Sequence, residues 1–149
     1  MEISNKPINR TLIAYYGILQ SLHLVVLLRA GLILLLQDRF PFPILPPPSS
    51  WDAQVIPFML GLGTTDLVGI LLGLFFVYRA LIKGAFYRRL GVISLTIFIT
   101  GAIVFALGTL PSGAWAGHPI AYGSMAVLFA PTVILYGWLL RSNITHKTT

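Results

Sequence analysis

The 149-residue chain is 56% hydrophobic and only 9% charged, with a mean hydropathy of +0.86. That composition excludes a disordered chain and an ordinary water-soluble globule, in which charged residues make up about 25%. The net charge of +6 comes from basic residues scattered over the ends of apolar segments, which argues against a nucleic-acid-binding stripe, and the absence of cysteine removes disulfides, thiolate metal sites and cysteine nucleophiles.

A membrane-crossing helix needs about 20 mostly apolar residues. The chain therefore has room for four spans with short connections and none for a soluble catalytic domain. We expect an all-α polytopic membrane protein: a bundle of four transmembrane helices forming one membrane domain over 1–149. The first span covers residues 12–36 (LIAYYGILQSLHLVVLLRAGLILLL), too long for the apolar region of a cleaved signal peptide. A proline-rich loop follows at 40–50, with five prolines in eleven residues. Such a segment cannot be helical and favours an extended polyproline form. The second span covers 56–78, the third 90–110, and the fourth 120–140. Pro131 interrupts the fourth span, where a proline removes one N–H and predicts a kink.

Basic residues orient the spans. Lys6, Arg10, Arg79, Lys83, Arg88, Arg89, Arg141 and Lys147 fall on one side of a four-crossing chain, against Arg39 on the other. Short loops rich in Lys and Arg stay cytoplasmic, so both the N- and C-termini are expected in the cytoplasm, in a plasma or inner membrane. Trp51, Trp115 and Tyr122 would lie at the outer interface, and Tyr78, Tyr87, Tyr136 and Trp138 at the inner one. The Asn9-Arg10-Thr11 and Asn143-Ile144-Thr145 triplets are cytoplasmic in this arrangement and read as chance matches to a glycosylation signal.

Three residues bring ionisable chemistry into the hydrocarbon: His23, Arg29 and Asp66. Each costs about 2.5–3.5 kcal/mol or more near the bilayer centre unless it finds a partner. Side chains on a helix tilt toward its N-terminus, so Arg29 and Asp66, on oppositely running spans, lean toward each other in depth. An Arg29–Asp66 pair is the expected contact, with His23 meeting another span, or the reverse. Asp66 shares a helix face with Gly63, Gly69 and Gly73, which let a neighbouring backbone approach closely. Gln20 lies on the His23 face, and Thr96 and Thr100 are supporting hydroxyls within reach of a mid-membrane histidine.

Cofactor chemistry finds little support. His23 has no second axial ligand at its depth for a haem, and a zinc site wants more ligands than His23 and Asp66 supply. No phosphate-cradling loop or hydrolase motif is present. No cofactor and no nucleic-acid partner are expected. Besides the bilayer, the expected partners are other membrane subunits or a second copy of the chain. The sequence favours a non-catalytic accessory or assembly subunit of a membrane complex. The alternatives are an oligomeric small transporter or channel using the His23, Arg29 and Asp66 cluster, and a membrane enzyme acting on a lipid or isoprenoid.

Overall fold

The computed structural model describes residues 7–37, 55–109 and 119–141. They form four helices in chain order: α1 (Pro7–Gln37), α2 (Val55–Leu81), α3 (Arg88–Thr109) and α4 (Pro119–Arg141). Each is long and apolar enough to cross a membrane, and the described residues are otherwise one short connection between α2 and α3. The proline-rich loop, Asp38, Arg39, Trp51, Trp115, His118 and both tails lie outside the described residues.

The helix ends match the hydropathy reading to within a few residues, except that α1 begins five residues before the expected span. Apolar composition marks the part of a helix that lies in lipid, whereas backbone hydrogen bonding continues outward through Asn9, Arg10 and Thr11. α4 remains helical through Pro131. Hydroxyl groups serve the carbonyls near the proline: Tyr15 donates to the Leu128 carbonyl at 2.7 Å, and Thr132 to that of Phe129 at 2.6 Å.

Each helix packs on its two neighbours in the ring α1–α2–α3–α4, most extensively across α1–α2 and α2–α3. Contacts fix the directions. Gly17 meets Val77 and Gly63 meets Leu27, so α1 and α2 are antiparallel. Gly91 meets Phe76 and Gly108 meets Phe58, so α2 and α3 are too. Thr96 meets Tyr136 and Arg88 reaches Leu139 and Leu140, which makes α3 and α4 antiparallel as well.

This up-down-up-down order gathers Arg10, Arg79, Lys83, Arg88, Arg89 and Arg141 at one end. There the α2–α3 connection turns through Gly84 at φ +62° and closes with Ala85 N–H donating to the Arg79 carbonyl at 2.8 Å. Glycine takes that left-handed backbone without strain. Arg88 donates to the Leu139 and Leu140 carbonyls, satisfying acceptors that the end of α4 leaves open.

The core lies toward this basic end. Ile13, Tyr16, Phe76, Leu95, Leu135 and Leu139 are buried together, with Phe98 stacked on Phe129 at 4.7 Å and 7°. Toward the other end the first half of α4 is largely uncovered: Ile120 is 82% exposed and Val127 75%.

Candidate functional site

His23 and Asp66 meet across the α1–α2 seam. His23 Nε2 lies 3.7 Å from Asp66 Oδ2, with side-chain exposures of 31% and 13%. The other carboxylate oxygen, Oδ1, rests on α3. A Cβ added at Gly101 would lie 2.5 Å from it, so an alanine there would have to displace the carboxylate. Asp66 is therefore held between three helices and turned away from lipid.

The level of this contact follows from counting. His23 is 13 residues beyond Arg10, Asp66 is 13 before Arg79, and Gly101 is 13 beyond Arg88. At about 1.5 Å per residue the three sit about 20 Å from the basic end. That is about two thirds of the thickness of a hydrocarbon core, which in bilayers is typically roughly 30 Å.

Below His23, toward the basic end, the same α1 face carries Gln20 and Tyr16, both fully buried. Tyr16 donates to Ser94 Oγ at 3.2 Å, and Ser94 donates in turn to the Gly91 carbonyl. Neither amide atom of Gln20 makes a hydrogen bond. Gly73 admits this row, since an added Cβ would lie 2.8 Å from the Tyr16 hydroxyl and 3.3 Å from Gln20 Cγ. Phe98 closes the opposite side, with edge contacts to the Tyr16 ring at 5.8 Å and the His23 ring at 6.0 Å.

Arg29 does not join this site. It is exposed and makes no ion pair with Asp66, so the expected Arg29–Asp66 contact gives way to His23–Asp66. The reason is angular: six residues at 100° each turn Arg29 about 120° from His23. Its depth also differs from that expected from the middle of span one. Arg29 is 19 residues beyond Arg10, about 28 Å from the basic end.

The two threonines also fall elsewhere. Thr96 Oγ1 bonds the Val92 carbonyl at 2.8 Å and lies 2.9 Å from the Tyr136 hydroxyl. Thr100 lines a groove between α2 and α3, and neither threonine bonds His23. The glycine face of α2 is divided between two neighbours. Gly63 and Gly73 face α1 through Leu27, Tyr16 and Gln20, while Gly69 faces Ile97 of α3. No motif or spacing in the sequence singles out Ser94 or Phe98. The available sign was an isolated hydroxyl and an aromatic ring four residues apart on one face of α3.

Chemically, the pair offers a carboxylate and an imidazole that can share one proton or form an ion contact when both are charged. Among the described residues, no three His, Asp or Glu side chains come together as a metal site would require.

No protein family matches the chain, and neither does any curated protein or solved structure.

Proposed function

We propose that the chain is a non-catalytic accessory or assembly subunit of a larger membrane complex, oriented with its basic end in the cytoplasm as short Lys- and Arg-rich loops favour. One observation carries this reading. Between α2 and α3, on the lipid-facing side, runs a groove of about 580 Å³ whose lining includes Gly61, Thr65, Thr96, Thr100 and Gly101. In lipid, helices associate through close backbone approach and side-chain hydroxyls, because the hydrocarbon supplies no hydrophobic drive between them. A row of small and hydroxyl residues is the surface that a partner's transmembrane helix uses.

The test is purification of the tagged chain from its native membranes in mild detergent, with the complex sized and its subunits identified by mass spectrometry. A membrane subunit in fixed stoichiometry is expected. A Gly61→Leu variant should lose that subunit while the chain itself stays folded, since nothing lies within 4 Å of a Cβ built at Gly61. A lone monomer from wild type would overturn the reading.

The His23–Asp66 pair favours a second reading, an oligomeric small transporter or channel. Intramembrane His and Asp are the side chains that proton and ion pathways use, and four helices would need a second copy to enclose a path. Proteoliposome flux that is unchanged by Asp66→Asn would remove Asp66 from any such mechanism. A lipid- or isoprenoid-modifying enzyme has less support, because Leu27, Ile97, Tyr16 and Gln20 fill the glycine face beside Asp66.

A further inference from the structure

We propose that Gln20 seats a buried water that joins the His23–Asp66 pair to the hydroxyls of Tyr16 and Ser94, so that the pair exchanges protons toward the basic end of the bundle. This linkage stands apart from both functions proposed above and requires neither.

The first observation behind it is the amide itself. Gln20 is fully buried, and among the described residues neither its Oε1 nor its Nε2 has a hydrogen-bond partner. The amide lies beside the Tyr16 hydroxyl without bonding to it. A buried amide left bare loses its hydration and gains nothing in return, so such groups nearly always bond to protein or to an internal water. Within a membrane bundle the loss is larger, because bulk water does not reach the group. An internal water makes about three bonds to polar groups that would otherwise be unsatisfied.

The second observation is placement. Tyr16, Gln20 and His23 follow one another at spacings of four and three on one face of α1. Side chains so spaced stand about 5–6 Å apart at Cβ, and a water bonded on both sides spans a similar gap at about 2.8 Å per bond. Gly73 keeps a side chain out of the wall opposite Tyr16 and Gln20. His23 turns Nε2 to Asp66, which leaves Nδ1 for a second partner. Tyr16 donates to Ser94 Oγ, so its own oxygen remains an acceptor. Ser94 donates to the Gly91 carbonyl and stands six residues beyond Arg88, about 9 Å from the basic end. In the other direction the row stops, since Leu27 sits against Gly63. From α3 the pair meets Gly101 and Phe98, and Phe129 of α4 stacks on Phe98. Tyr16 is the one other titratable side chain in the row. A proton leaving the pair passes to the water as another passes from the water to Tyr16. The two hydroxyls each take one proton and give one, so no net charge stays in the row.

Exchange of the His23 ring N–H with solvent, followed by nitrogen NMR in lipid nanodiscs, tests the linkage. His118 and His146, which lie outside the four helices, are replaced by Gln so that His23 alone reports. Gln20→Met keeps the volume and removes the amide. It should lower the melting temperature and slow the exchange about tenfold, the scale of one hydrogen bond lost. Tyr16→Phe, which keeps the ring against Phe98, should slow the exchange as well, and it decides the matter if Gln20→Met does not fold. Melting of Gln20→Met at or above wild type is the result for a bare amide and would overturn the proposal. Lowered melting with unchanged exchange would do the same, because Gln20 would then only pack. Undiminished exchange in Tyr16→Phe would mean that the proton leaves the pair by another side, which also overturns it.

Discussion

The two ends of the bundle are built from the same apolar alphabet and behave differently. Toward the basic end, buried aromatic rings interlock: Tyr16, Phe76 and Phe98 are each under 5% exposed. Toward the other end, α2 and α3 stay in contact through Phe58 and Gly108, but the first half of α4 leaves Ile120, Gly123 and Val127 uncovered, and grooves open along α4 and between α2 and α3. Hydrophobicity cannot cause this difference, since lipid is as apolar as leucine. Shape causes it. Tyr16 against Gly73 and Phe76 against Gly91 close one end, while Gly61 and Gly123, with nothing within 4 Å of an added Cβ, leave gaps toward the other.

The strongest way to break the comparison is to empty the closed end. Phe76 is fully buried against Gly91 and Phe86. Phe76→Ala should cost about 3 kcal/mol or more in unfolding from mixed detergent micelles, chiefly through the cavity it leaves. Leu36, 73% exposed near the end of α1, should give a change within about 0.5 kcal/mol on replacement by alanine. Similar losses for the two would remove the distinction between the ends.

Overfilling the boundary comes next. Gly101 carries Asp66 Oδ1 where its own Cβ would be. Gly101→Ala should therefore cost about 1–3 kcal/mol, the usual range for overpacking, and should shift the His23 imidazole resonances, because the carboxylate has to move. A stable variant with unshifted His23 signals would mean that Asp66 does not rest on α3.

A smaller effect tests the pair itself. In a cycle of His23→Leu, Asp66→Leu and the double variant, the coupling free energy should be about 0.5–1.5 kcal/mol, the range for polar contacts between membrane helices. The same cycle between Arg29 and Asp66 should give a coupling near zero. A larger Arg29 coupling would restore the contact that depth alone suggested.

That reversal shows what the sequence could and could not convey. Four apolar runs of spanning length fixed the number of helices, and glycine spacing placed Asp66 on a packed face of α2. Both depend on residues near one another in the chain. The identity of its partner depended on how α1 is rotated against α2, which is set by Gly17 against Val77 and Tyr16 against Gly73. Tilt toward the N-terminus speaks only to depth, and it favoured Arg29. The Tyr16–Ser94 bond joins residues 78 apart, and no local pattern in either helix announced it. Arg29 looked only about 7.5 Å from the midplane, five residues at about 1.5 Å each, because the middle of the apolar run of α1 is not the middle of the bundle.

The finest test uses a single methyl group at the open end. Nothing lies within 4 Å of a Cβ built at Gly61 or Gly123. Both sit inside helices, where glycine is about 0.5–1 kcal/mol less favourable than alanine because it has more backbone freedom to lose. Gly61→Ala and Gly123→Ala should each raise unfolding stability by up to about that amount, while Gly91→Ala, which meets the buried Phe76 ring at the closed end, lowers it. Opposite signs for the same chemical change would show that packing alone separates the two ends. A loss at Gly61 or Gly123 in the isolated chain would mean that the groove walls already approach each other in detergent, and the open end would then be closed without a lipid or partner in place.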